Sequence, residues 1–261
     1  MKAVIFCGGQ GTRIRDVNEV VPKPLVTIGE RPILWHIMKI YSHYGVNEFI
    51  LCLGYKGWKI KEYFLNYRAI INDFTIQVGH SGEVSFHSDT EEANWKVTLA
   101  ETGENTMTGA RLWRVRKYVE DQEHFCVTYG DGVANIDIGK LIEFHEKANV
   151  AGTITATRPT GRYGEMEIKN DMVNSFNEKP NYAEGWINGG FMVFNTKKVW
   201  DYFWPDDALV LEKESLPAMV KDHQLAVYKH EGFWLGMDTL REHSLLNAMW
   251  NSGKAPWKMW K

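Results

Sequence analysis

The chain has 261 residues, 44% hydrophobic and 24% charged, the proportions of a folded globular protein with room for a sizeable core. Thirty Lys and Arg against 33 Asp and Glu leave a formal charge of −3, so no basic face is forced and nucleic acid is not the expected partner. Nowhere are eighteen consecutive residues apolar, which excludes a helical membrane span. The three cysteines, Cys7, Cys52 and Cys126, sit singly in apolar runs without CxxC spacing. They read as small buried hydrophobes of a reducing cytoplasm, and the apolar run Ala3–Cys7 is too short for a secretory h-region.

In chain order, Lys2–Phe6 reads as a β-strand running into the loop Cys7-Gly8-Gly9-Gln10-Gly11-Thr12-Arg13. Glycines so closely spaced let backbone N–H groups approach an anion, Thr12 adds a hydroxyl, and Arg13 adds a charged fork suited to phosphate. The dinucleotide fingerprint fails because Ile14 stands where its third glycine belongs, and no Gly-Lys-Ser/Thr of a P-loop occurs. Next, Pro22-Lys23-Pro24 braces one lysine between two prolines; alone, the tripeptide reads as a solvent-exposed loop. Residues 32–44 place Ile33, Leu34, Ile37, Ile40, Tyr41 and Tyr44 on one helical face, with Pro32 in the first turn. Glu48–Leu53 is a second strand and residues 56–67 a second helix. The acidic run Asp89–Glu92 reads as a solvated loop.

His124–Tyr129 is a further strand, ending in Gly130-Asp131-Gly132 and followed by a helix over Ile138–Ala148. Asp131 at the carboxyl end of a strand stands where open α/β sheets bind ligands, and an oxygen ligand there suits Mg²⁺; a plain Asp-Gly turn is the competing reading. The second half is richer in short strands: residues 152–158, Glu165–Lys169, residues 173–177 and Ile187–Asn195, with Asn170-Asp171 as a hairpin turn. Glu178-Lys179-Pro180 combines a hydrogen-bond acceptor with a point charge, or is simply a surface turn. Asp238 follows the apolar run Phe233–Met237, and Thr239 with Glu242 three residues on fits a capping box, which leaves Asp238 available as a metal ligand. Residues 253–261 form a basic, aromatic tail in which Trp257 and Trp260 read as anchors onto the body or another subunit. His36, His43, His124 and His145 lack metal-ligand spacing, and no G-x-S-x-G elbow suggests a hydrolase.

Strands alternating with helices imply a doubly wound, mainly parallel mixed sheet of Rossmann-like type, here with a small β-rich extension. With no linker or repeat, residues 1–261 read as one domain, its texture changing near residue 150.

Taken together, residues 8–13 with Pro22-Lys23-Pro24 resemble the signature of the sugar-1-phosphate nucleotidylyltransferases. The resemblance continues through Tyr129-Gly130-Asp131-Gly132, Glu178-Lys179-Pro180, Asn188-Gly189-Gly190-Phe191 and Asp238-Thr239, and so covers nearly the whole chain. Residues 32–36, 54–57, 107–112, 232–234 and 253–258 are most similar to its glucose-1-phosphate cytidylyltransferase branch. Departures at Phe6-Cys7, Gln10 and Ala110 alter pocket lining rather than charged groups.

The resemblance implies transfer of CMP from CTP to glucose 1-phosphate with release of pyrophosphate, in a cytoplasmic homo-oligomer that supplies nucleotide sugars for surface polysaccharide such as O-antigen. It implies that Gly8, Gly9, Gln10, Gly11, Thr12 and Arg13 wrap the triphosphate, with Gly130 beside them, and that Arg13 and Lys23 carry the catalytic charge. Thr106 to Arg111 would form a loop that reads the base. Asp131 and Asp238 would hold Mg²⁺. Lys179 would take the sugar phosphate, Glu178, Asn188 and Tyr163 would face the hexose, and Gly164 and Gly189 would admit the ring. Residues of about 1–150 would then form the nucleotide-binding part and about 151–261 the sugar-binding part, and Trp186 and Trp234, close in sequence to Asn188 and Asp238, would line the sugar end of the cleft. Uridylyl, thymidylyl or guanylyl transfer remains an alternative, since the phosphate machinery is shared, as does a catalytically silent nucleotide-sugar sensor.

Overall fold

Alternation along the first strand sets the layering of the molecule. In β1 (Lys2–Phe6), Ala3 and Ile5 point into one apolar cluster while Val4 and Phe6 point into another, so the strand is buried on both faces, as a parallel strand under helices must be. The structure is a computed structural model and describes residues 1–9, 21–79, 82–158, 165–169, 172–177 and 185–260. The other main strands are β2 (Glu48–Leu53), β3 (Lys96–Glu101), β4 (His124–Tyr129), β5 (Gly152–Thr157), β6 (Ile187–Asn195) and β7 (Leu225–His230). They form a seven-stranded sheet in the order β7-β5-β6-β4-β1-β2-β3. β6 runs antiparallel to its neighbours β5 and β4, and the other pairings are parallel.

This is the doubly wound, mainly parallel sheet that the alternating pattern predicts. From β1 the chain builds outward through β2 and β3, then returns to place β4 on the other side of β1. The reversal opens a crevice beyond the carboxyl ends of β1 and β4, the position at which such sheets bind ligands.

The helices follow the sequence patterns closely. α1 (Ile33–His43) buries most of its residues, including Trp35, His36 and Tyr41, and Pro32 precedes it in extended conformation. α2 (Gly57–Leu65) stops short of the expected 67, and a separate turn of helix covers Tyr67–Ile71. α3 (Thr108–Val115), α4 (Ile138–Ala148) and α5 (Leu240–Asn251) complete the main set. Glu165–Lys169 and Met172–Asn177 pair as an antiparallel hairpin apart from the main sheet; its expected turn, Asn170-Asp171, lies outside the described residues.

Two surface readings are corrected or sharpened here. Glu92, expected in a solvated run, is buried and accepts a hydrogen bond from Trp35 Nε1 at 3.0 Å, with Lys39 Nζ 3.7 Å away. The local acid pattern carried no sign of that cover. The tail docks on the body: Trp257 is fully buried, stacked with Phe233 and Trp250. Cys7, Cys52 and Cys126 are free and buried.

Candidate active site

A two-stranded ladder assembles the carboxylates. Gly132–Ala134 pairs antiparallel with Trp234–Gly236, Gly132 lying opposite Gly236, and Met237 N–H donates to the Asp131 carbonyl at 2.8 Å. This register sets Asp131 and Asp238 side by side although they are 107 positions apart. Behind Asp238, Thr239 caps α5 in a complete capping box with Glu242, and Glu242 also accepts from the Asp238 N–H at 2.7 Å. The box expected from sequence therefore fixes the backbone that carries the carboxylate.

Lys23 enters from a third segment. Pro22 precedes and Pro24 sits within a short 3₁₀ turn, Lys23–Leu25, with Pro24 buried against Gly130. A Cβ on Gly130 would lie 2.7 Å from the Phe6 carbonyl oxygen and 3.2 Å from the Pro24 ring, so only glycine lets the ends of β1 and β4 and the proline turn close together. Thus braced, the Lys23 ammonium donates to Asp131 at 2.6 Å and to Asp238 at 2.8 Å. Burial opposes its charge, but the two carboxylates outweigh burial and raise its pKa.

Arg111 closes the floor. Its buried guanidinium donates to the carbonyls of Leu53 (2.9 Å), Gly8 (3.2 Å) and Glu104 (3.2 Å) and to Thr102 Oγ1 (2.7 Å). Cβ atoms on Gly8 or Gly54 would fall 2.1 and 2.6 Å from its Nη1. Gly8, expected to be a phosphate cradle, thus also makes room for the arginine that knits the ends of β1 and β2. Burial pulls the Arg111 pKa below the usual guanidinium value.

Residues 108–111 are the first turn of α3, not the loop expected for 106–111. Its leading N–H groups are taken by residues far along the chain, Met107 by the Asp207 carbonyl and Ala110 by the Leu209 carbonyl, contacts that no local pattern reveals. Thr106 is buried, its hydroxyl accepting from Arg114 at 3.0 Å.

These groups enclose a cavity of about 360 Å³ at the carboxyl ends of β1 and β4, lined by Gly8, Gly9, Lys23, Thr106, Arg111, Gly130, Asp131 and Asp238 among others. A smaller hollow of about 40 Å³ adjoins it, walled by Asn188, Gly189, Trp234, Tyr129 and Asp131, and Trp234 Nε1 donates to the Gly189 carbonyl at 2.7 Å. Such a site offers closely set backbone, two carboxylates and a clamped cation, the equipment for binding polyphosphate with a divalent ion.

The comparisons with known proteins agree with that chemistry. The nucleotidyl transferase family model matches residues 2–251. The chain belongs to this family. It is 47% identical over 261 residues to the glucose-1-phosphate cytidylyltransferase of Salmonella typhimurium, covering 100% of both chains. It is likewise 47% identical over 260 residues to a probable glucose-1-phosphate cytidylyltransferase of Bacillus subtilis, again covering 100% of each. A putative glucose-1-phosphate thymidylyltransferase from Bacillus anthracis, solved in complex with a sucrose, shares the fold with a TM-score of 0.67 at 17% identity, covering 95% of this chain and 94% of that one.

Among the sequence-predicted residues, the larger of these two cavities brings together Gly8, Gly9, Lys23, Thr106, Arg111, Gly130, Asp131 and Asp238, with Asn188 in the adjoining hollow. Gln10, Gly11, Thr12, Arg13, Tyr163, Gly164, Glu178 and Lys179 lie outside the described residues. Trp186 carries Arg158 and Lys229 over its ring rather than lining either cavity. The tyrosine of the strand end, Tyr129, went unassigned in the sequence; it borders both cavities. A second group of polar and indole side chains, Trp35, Trp250, Trp260, Arg31 and Lys258, borders a separate cavity of about 490 Å³ under the tail.

Proposed function

We propose that this chain transfers CMP from CTP to glucose 1-phosphate, giving CDP-glucose and pyrophosphate. The observation that carries the chemistry is the convergence of Lys23, Asp131 and Asp238 at the crevice between β1 and β4. The choice of base and sugar rests on the full-length identity with two cytidylyltransferases.

An oxygen of the sugar phosphate attacks the α-phosphorus of the nucleotide. The new P–O bond forms as the bond to the β-phosphate oxygen breaks, and that electron pair leaves with pyrophosphate. The attacking oxygen is already ionised near neutral pH, so no side-chain nucleophile or general base is needed. Catalysis is positioning and charge stabilisation.

Lys23, aimed into the cavity by its two prolines, follows the negative charge as it moves to the leaving group. Arg13, by resemblance, steadies the pyrophosphate, and the Gly8–Gly9 backbone packs close to the phosphates. The floor arginine, Arg111, holds Gly8 in place.

The paired carboxylates meet on one cation, and their hard oxygen donors fit a divalent ion. Asp131 and Asp238 would hold Mg²⁺, with phosphate oxygens and water completing its shell, and the ion would supply positive charge against the triphosphate. Asn188, and by resemblance Lys179, Glu178 and Tyr163, hold the sugar phosphate.

A pyrophosphate-release assay with glucose 1-phosphate and Mg²⁺ across CTP, UTP, dTTP and GTP tests the reading. CTP should give the highest kcat/KM by at least about tenfold, the ratio set by one well-placed base contact. A preference for another triphosphate reassigns the base, and no release with any of them favours the silent sensor.

A further inference from the structure

Glu212 lies outside every motif that points to this reaction, yet its carboxylate ties together the two halves of the site. Tyr129 Oη donates to Glu212 Oε1 in a short hydrogen bond, and Thr108 Oγ1 donates to Glu212 Oε2 at 2.7 Å. The backbone N–H of the neighbouring Leu211 donates to Thr108 Oγ1 at 3.0 Å. Glu212 therefore joins the end of β4, next to Asp131, to the first residue of α3. The local backbone is unusual as well: Leu211–Ser215 is a single π-helical turn, a rare geometry that recurs at functional sites.

Tyr129 is the partition that Glu212 anchors. It borders both the larger cavity with Lys23 and the small hollow with Asn188, and Asp131 borders both beside it. The ring packs against Phe6, with centroids 5.7 Å apart. It also lies against the backbone of Gly190, which adopts φ +80°, and where a Cβ would come within 2.6 Å of the ring. Its hydroxyl is then engaged by Glu212 and Asn188.

We propose that Glu212 is a positioning residue for the reaction, fixing Tyr129 as the wall that registers the sugar phosphate against the nucleotide. This rests on the two-substrate reading above. Glu212 itself is exposed and lines neither cavity, so it acts through Tyr129 and Thr108 and not by touching substrate. Burial and the adjacent Glu212 carboxylate keep the Tyr129 phenol protonated, its pKa raised.

The test is a double-mutant cycle of Glu212→Ala and Tyr129→Phe, with Glu212→Gln as the conservative variant, read by steady-state kinetics in both substrates. Glu212→Ala should raise KM for glucose 1-phosphate about tenfold while KM for CTP shifts less than about threefold. Tyr129→Phe should give a sugar defect at least as large, since it also loses the hydrogen bond with Asn188, and adding Glu212→Ala to it should change little more, because Glu212 acts through the phenol already removed. Glu212→Gln, which keeps an acceptor for the phenol, should recover most of the loss. Because Glu212 is exposed, the thermal midpoint should stay within a few degrees.

Equal effects on both substrates, additivity of the two substitutions, no rescue by glutamine, or constants within twofold of wild type would each overturn the proposal. Failure of the underlying reading looks different: the unmodified protein would release no pyrophosphate from any triphosphate.

Discussion

Lys23 is where three distant segments of the chain meet, and its environment decides what it can do. A half-buried ammonium is costly unless paired, and here the pairing comes from carboxylates that neither neighbour it in sequence nor share its element. Replacing it leaves Asp131 and Asp238 facing each other without a cation between them. Lys23→Ala is therefore expected to lower kcat by two orders of magnitude or more, the scale seen when one transition-state donor is removed. Lys23→Arg should not restore it, since the planar fork cannot occupy the compact position of an ammonium between two oxygens 2.6 and 2.8 Å away. Pre-steady-state bursts and kcat for both variants check this; activity within tenfold of wild type in Lys23→Ala would remove the assigned role. Lys23 and the two aspartates were legible in the sequence because Pro-Lys-Pro, strand-end Gly-Asp-Gly and the Thr239–Glu242 box each carry a local signature. Arg111 was legible only as a member of a motif. Its work of bracing Gly8 and Leu53 depends on side-chain burial, which no spacing encodes.

At the scale of elements, periodicity identified α1, α4 and the strands Lys2–Phe6, Glu48–Leu53 and His124–Tyr129 because one uniform environment dictates each. α3 escaped because its start is satisfied by carbonyls about a hundred residues away, and Glu92 escaped because its cover is Trp35 on another element. The tail shows what such long-range contacts contribute. His36 on α1 bonds the Ile28 carbonyl through Nε2 at 3.0 Å, while Trp257 Nε1 donates to its Nδ1 at 3.4 Å. That pattern requires a neutral imidazole, and burial accordingly pushes the His36 pKa down to about 4. The unfolded chain takes up this proton near pH 6.5, and the folded chain does so only near pH 4. Stability from this group is thus complete above about pH 6.5, falls as the pH drops toward 4, and is flat below, a loss on the order of 3 kcal/mol. Urea unfolding from pH 7 to pH 4 should show that loss in the wild type and a shallower slope in His36→Gln. Parallel slopes would mean that the tail does not rest on a neutral histidine.

At the scale of the whole molecule, the order β7-β5-β6-β4-β1-β2-β3 forces the site to draw on both halves of the sequence. Lys23 belongs to the first half, Asp131 closes β4, and Asp238 leads into α5, whose far end packs Trp250 on Trp257 and His36. α5 thus carries a site residue at one terminus and holds the tail over α1 at the other. A nucleotide gripped by Lys23, Asp131 and Asp238 would pull on the sheet, on α5 and on the first segment at once. The division into a nucleotide part and a sugar part should therefore have no thermodynamic counterpart. Calorimetry is expected to show one unfolding transition, moved upward as a unit by CTP with Mg²⁺. At a hundredfold excess over Kd the gain is about 2.7 kcal/mol, or roughly 5–10 °C for a chain of this size. Lys23→Ala should keep the single transition and lose most of the shift, since it removes the cation without opening the core. Two transitions, with CTP moving the earlier and leaving the other in place, would show instead that the halves fold apart and that α5 does not couple them.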